Sequence, residues 1–191
     1  MVKRNLYYGG MVETNAGQTD LQRRDRARLL LVAGVVIAAA IAIDQGTKLW
    51  AVSSLTGASR IDLVGGLFGL ELVYNSGMSF SLGQGMTPVI TAFAVLVSAV
   101  LLVGIVRTRS LWLAVGMGLV VGGAVGNVID RIRLEPGWGS GPVIDFLAYA
   151  TWFIGNVADI WVFLGVVIGA GGYLRVRSAR PSSSTAGEPI N

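Results

Sequence analysis

Asp130, Asp145 and Asp159 are three carboxylates in largely apolar surroundings, within a stretch from Gly122 to Asp159. Gly126-Asn127-Val128-Ile129-Asp130 ends one apolar run, Gly155-Asn156-Val157-Ala158-Asp159 opens the next, and Val143-Ile144-Asp145-Phe146 sets the third carboxylate between them. Ionisable groups at a helix centre in lipid cost roughly 2.5 to 3.5 kcal/mol each on insertion scales, so a functional role is the default reading. Two carboxylates brought together in a poorly solvated site cannot both ionise easily; one pKa rises and the pair holds a shared proton. Such a pair activates water. Its ionised member takes a proton from the water, its protonated member polarises a carbonyl, and the roles reverse as an amine leaves. The chemistry implied is peptide hydrolysis at a membrane surface without a covalent intermediate.

Composition narrows the alternatives. Of 191 residues, 53% are hydrophobic and 14% charged, against about one quarter charged in a soluble domain, which implies an integral membrane protein. There is no cysteine and no histidine. Disulfides, thiol nucleophiles, Ser-His pairs and the usual zinc and haem ligands are therefore excluded. Catalysis is left to Asp, Glu, Lys, Ser, Thr, Tyr or a hard metal on oxygen ligands.

Four apolar runs must position these groups. Residues 1–28 are polar and basic, with the look of a mobile cytoplasmic tail. Leu29 to Ile43 follows. Ala40-Ile41-Ala42 has the small-x-small pattern of a cleavage site, but the long basic region and three later runs favour a retained span. Continued to Leu49 it has 21 residues, about 31 Å of helix, enough to cross a bilayer core. Asp44 and Lys48 lie on one face near its far end, spaced for an i,i+4 ion pair. In the next segment Ile61, Leu63, Phe68, Leu70, Leu72 and Tyr74 recur at period two, which predicts short strands in a curled sheet or cradle. Asn75-Ser76-Gly77 fits a tight turn that aims the Asn75 amide at a neighbour.

Pro88 to Val106 and Leu111 to Ile129 are the second and third spans, the latter with glycines that let helix backbones approach closely. Asp130 to Ile154 reads as a loop with a Pro136-Gly137 turn, its Phe146, Tyr149, Trp152 and Phe153 held at the lipid interface. Asn156 to Tyr173 is the fourth span. Residues 175–191 read as a disordered cytoplasmic tail. With both termini inside, cytoplasmic segments hold eleven Lys and Arg and outer segments four; the acidic residues divide four and seven. The positive-inside rule then puts Asp44, Asn75, Asp130, Asp145 and Asp159 at the outer face, and the basic balance needs no nucleic acid to explain it. Asn127 and Asp130 are three apart on one helix face, as are Asn156 and Asp159 on the next, with Asp159 about one turn inside its helix.

Asp44-Gln45-x-Thr47-Lys48, Asn75-x-Gly77-x-x-Phe80, Gly122-Gly123-Ala124-x-Gly126-Asn127-x-x-Asp130-Arg131, Val143-x-Asp145-Phe146 and Asn156-x-Ala158-Asp159 together resemble the lipoprotein signal peptidase (signal peptidase II) family over about Asp44 to Asp159. The resemblance implies an all-α membrane protein, a four-transmembrane-helix bundle over residues 29–174, with a small extracytoplasmic β-rich cradle and an interfacial loop or helix. It implies an aspartic endopeptidase of the bacterial inner membrane that cleaves the signal peptide from diacylglyceryl-modified prolipoproteins just before the lipidated cysteine. No cofactor, metal or nucleic acid is implied; the partners are the lipidated substrate and membrane lipids, and a monomer is expected. The family's catalytic pair falls on Asp145 and Asp159. Its substrate-binding or supporting residues fall on Asp44, Lys48, Asn75, Gly77, Asn127, Asp130, Arg131 and Asn156. Asp130 is thereby assigned to scaffold work, paired with a neighbouring arginine, although the residues alone also admit it to the dyad. Two positions depart from the family. Gly155 replaces the usual Phe, which is expected to loosen packing beside Asp159, and Ser79 replaces Ala.

Two other classes use the same residues. A proton-coupled transporter would put its carboxylates near the midplane among broken helices, whereas these crowd one face. A metal-dependent hydrolase would use Asp44, Asp130, Asp145 and Asp159 as oxygen ligands.

Overall fold

The computed structural model describes residues 6–77 and 86–178, with side chains from Leu21 onward. Ser79, Phe80 and the serine-rich tail lie outside the described residues. The elements run α1 (Leu6–Leu55), β1 (Ile61–Val64), β2 (Phe68–Asn75), α2 (Thr87–Arg107), α3 (Leu111–Arg133), β3 (Val143–Tyr149), β4 (Phe153–Gly155) and α4 (Val157–Ser178). Within these, Leu21–Leu55, Thr87–Arg107, Leu111–Arg133 and Val157–Ser178 are each long and apolar enough to cross a membrane.

Local chemistry marks the helix ends. Pro88 sits in the first turn of α2, where its missing N–H costs little. Ser110 caps α3 by accepting from the Leu113 N–H. The α1 helix passes Arg28 without interruption, so the described part of the basic segment is helical instead of the mobile tail expected from composition. It also outruns Leu49, and the extra turns matter: Ala51 and Leu55 pack under the sheet against Phe146 and Leu147.

The α3 helix is the hub. A Cβ on Gly116 would lie 2.6–2.8 Å from backbone atoms of Gly165 and Gly169, and one on Gly122 would lie 2.6 Å from the Ala40 Cβ. The α4 and α1 backbones therefore each close on α3, as small residues allow where lipid offers no hydrophobic drive for association. Large side chains such as Phe93, Val100 and Phe163 face outward, the arrangement that lipid stabilises.

The four strands pair antiparallel in the order β1-β2-β3-β4. The period-two pattern from Ile61 to Tyr74 thus corresponds to β1 and β2. The segment expected as an interfacial loop or helix instead supplies β3 and β4. Phe146 is buried in the core with Leu147 instead of anchoring at the lipid surface, while Trp152 is exposed and Tyr149 stacks on Phe153. The Pro136-Gly137 turn is present, closed by the Gly137 N–H donating to the Leu134 carbonyl.

Candidate active site

Strand register brings the first carboxylate into place. Val73 pairs with Asp145 and Asn75 with Val143, so Asn75 and Asp145 are diagonal neighbours on one face of the β2–β3 ladder. The Asn75 Nδ2 donates to Asp145 Oδ2 at 2.9 Å, while its Oδ1 accepts from the Gly77 N–H at 3.0 Å. That is the tight turn read from Asn75-Ser76-Gly77.

The second carboxylate is fixed by a helix start. Asn156 precedes α4, and its Oδ1 accepts from the Asp159 N–H at 3.2 Å while Asp159 Oδ2 accepts from the Asn156 N–H at 3.2 Å. The three-residue spacing is therefore a reciprocal capping box, not two residues sharing a helix face as their spacing suggested. Asn156 then uses its Nδ2 to donate to Asp145 Oδ1 at 2.6 Å. One amide side chain thus caps the helix, sets Asp159 and holds Asp145.

A third amide completes the set. Lys48 is 1% exposed, and its Nζ lies 2.9 Å from Asp44 Oδ2, 2.7 Å from Asp130 Oδ2 and 2.8 Å from Asn127 Oδ1. An ammonium has three donors and no acceptor, so all three are matched. With its oxygen committed to Lys48, Asn127 must turn its Nδ2 outward, and it donates to Asp159 Oδ1 at 3.2 Å. Asn75, Asn127 and Asn156 follow one rule. Each has its oxygen held by a group that can only donate, which aims an N–H at Asp145 or Asp159.

Asp44 and Asp130 hold the scaffold. Asp44 Oδ1 accepts from the Ala158 N–H at 3.0 Å in the first turn of α4, where a carboxylate is favoured. Asp130 Oδ2 also accepts from the Ile144 N–H at 3.2 Å and so pins β3 beside Asp145. Asp130 pairs with Lys48, not with an arginine as expected. Gln45, named in the motif but given no role from sequence, bridges the two carboxylates: its Nε2 lies 3.1 Å from both Asp44 Oδ2 and Asp130 Oδ1. A neutral amide flanked by Asp44 and Lys48 on a membrane helix was the available signal. A Cβ at Gly126 would overlap the Asp44 carboxylate, which makes glycine a steric requirement there.

Asp145, Asp159, Asn75, Gly77, Arg131 and Asn156 line a cavity of about 190 Å³, with Asn127 and Val143. Asp145 is 3% exposed, whereas Asp159 is open to solvent. Burial pushes the Asp145 carboxyl up to about 6 against the pull of its Asn156 and Asn75 hydrogen bonds, and the nearby Asp159 charge adds to the rise. Arg131 is buried, and among the described residues its Nε has no hydrogen-bond partner. Gly155 does not loosen the site. The Phe153 ring covers it, and a Cβ there would already be 3.0 Å from Asp159 Oδ2.

The four aspartates do not converge on one point. Asp44 and Asp130 are occupied by Lys48, and only Asp145 and Asp159 open on the cavity. Among the described residues no group of three or more acidic side chains is placed to hold a metal ion.

The sequence model described as Signal peptidase (SPase) II matches residues 36–174. The chain belongs to the signal peptidase II family. A lipoprotein signal peptidase of Bifidobacterium adolescentis is 45% identical over 146 residues, covering 76% of this chain and 77% of that protein. One from Rhodococcus jostii is 40% identical over 147 residues, covering 75% and 70%. In fold, the chain is similar to a bacterial membrane enzyme of known structure with a TM-score of 0.66 at 18% identity, covering 81% of this chain and 94% of that one. Signal peptidase II membership makes the chain a peptidase, and its four apolar helices make it a multi-pass membrane protein. Neither the family nor the geometry favours the transporter reading.

Proposed function

We propose that this chain is an aspartic endopeptidase that removes the signal peptide from diacylglyceryl-modified prolipoproteins, cutting just before the lipidated cysteine, with Asp145 and Asp159 as the catalytic pair. The observation that carries the reading is the convergence of three oriented amides on two carboxylates that share a cavity and, among the described residues, have no cation in hydrogen-bond contact. Neutral donors orient the carboxyls without neutralising them, so a proton can still be shared between them. Water held between the pair loses a proton to the ionised member as it attacks the scissile carbonyl, and the other member donates toward the carbonyl oxygen and then the leaving amine. The free Nε of Arg131 is suited to a substrate carbonyl oxygen.

The sheet and both carboxylates belong on the extracytoplasmic side of the inner membrane, with both termini in the cytoplasm. The excess of Lys and Arg at the opposite helix ends supports this orientation. A residue-29 start for the peptidase unit fits the match from residue 36, with the basic and serine-rich ends as appendages. The decisive experiment is cleavage of a purified lipidated precursor in detergent, with and without a strong chelator. The expected product begins at the lipidated cysteine and forms equally well with chelator present. Loss of cleavage on chelation, restored by a divalent cation, would replace the aspartic mechanism with a metal-dependent one.

A further inference from the structure

At the end of the molecule away from the aspartates is a second cavity, of about 470 Å³, between the start of the apolar run of α1 and the connection from α2 to α3. Arg23, Asp25, Arg26, Leu29, Thr108 and Arg109 line it. Among the described residues its lining carries three guanidinium groups and one carboxylate, a net positive charge. Arg26 is fixed in its wall, since its Nη2 donates to the Val106 carbonyl, one of the end carbonyls of α2 that has no partner within the helix.

Depth identifies the kind of anion. Arg26 and Arg23 precede Leu29, where the apolar run begins, by three and six residues, which at about 1.5 Å per residue puts them roughly 4.5 and 9 Å outside the hydrocarbon. The headgroup layer adds about 5–7.5 Å on each side, so Arg26 lies within it and Arg23 at its outer edge. Arg109 lies between Arg107, the end of α2, and Leu111, the start of α3, and so at the same level. Planar guanidinium groups match phosphate oxygens in pairs. A zwitterionic headgroup would bring its own ammonium among three cations; an anionic one would not.

We propose that this cavity binds the phosphodiester headgroup of an anionic membrane phospholipid, with Arg23, Arg26 and Arg109 as its anion contacts. The site stands independently of the reaction at the other end of the bundle. The test uses the full chain in detergent, titrated with short-chain phosphatidylglycerol, short-chain phosphatidylcholine or inorganic phosphate, with bound lipid read by native mass spectrometry. Phosphatidylglycerol should bind in preference to the other two, and R23Q/R26Q/R109Q should weaken it by about fivefold per arginine removed. R24Q/R28Q/R177Q removes equal charge from the same end outside the cavity and should retain wild-type affinity. R23Q/R109Q keeps the Arg26 bond to α2 and should show two of the three steps, which covers a triple variant that fails to fold. Equal losses in the two triple variants would overturn the site in favour of diffuse surface charge. Equal binding of phosphatidylcholine would overturn it in favour of apolar adsorption, and saturation by inorganic phosphate with similar affinity would overturn the lipid assignment.

Discussion

Two pairs of aspartates sit side by side here, and their surroundings give them opposite properties. Asp44 and Asp130 share the buried ammonium of Lys48, and their remaining contacts are Gln45 and backbone N–H groups of Ala158 and Ile144. Asp145 and Asp159 receive neutral N–H groups and face a cavity. The first pair is ion-paired to a shared cation and enclosed, which suits it to joining α1, α3, α4 and β3. Among the described residues the second has no cation in direct contact, only Arg131 across the cavity, which suits it to moving a proton. Asn127 joins the two, with its oxygen on Lys48 and its amide on Asp159.

Exchanging the character of either pair should break the contrast. D145N or D159N is expected to lower cleavage of a lipidated precursor by about 10⁴-fold, the upper end of an acid–base contribution, with unchanged yield and helical content. Near wild-type turnover in either variant would remove that residue from the dyad. K48M leaves two buried carboxylates without their cation and should cost about 3–5 kcal/mol of stability, read by unfolding in detergent. D130N should also act mainly on stability; a fully stable but inactive D130N protein would return Asp130 to the chemistry. G126A drives a methyl group into the Asp44 carboxylate and should cost about 1–3 kcal/mol, with activity per folded molecule little changed.

The pH dependence sharpens the same contrast by smaller steps. The raised Asp145 carboxyl, at about 6 against an ordinary 3.8, holds a proton in the folded chain that the unfolded chain has already released between those values. Its protonation therefore favours the folded state below about 3.8, and that contribution is lost as pH rises through about 6. Melting measurements on wild type and D145N should differ by this slope. In kcat/KM for precursor cleavage, loss of the last shared proton should give a limb falling about tenfold per pH unit above about 6, a titration that belongs to the pair. A flat profile from pH 5 to 9 would contradict a shared proton.

Much of the site was legible because charge is conspicuous in an apolar chain. Asp145 and Asp159 stand out among Val, Ile, Ala and Phe, and the turn at Asn75 could be read from Gly77 two residues on. The strand identity of β3 was not legible, because Val143–Tyr149 is buried on both faces and shows no alternation. The role of Asn156 is hidden in the sequence for a related reason: spacing of three fits a helix face and a capping box equally, and only the backbone distinguishes them.

The amino-acid sequence by itself determined the four apolar helices, the β1–β2 pattern and which carboxylates would be expensive to keep, since each depends on residue type and local period. The tertiary structure decided which aspartates were tied to a buried cation and which stayed open to the cavity. That choice rests on Lys48 of α1 reaching Asn127 and Asp130 on α3, a contact between residues 79 and 82 positions apart that no local period encodes. Close packing at Gly122 and Gly126 brings the two backbones near enough for one ammonium to serve both, and its placement fixes which acids have a cation and which have only amides.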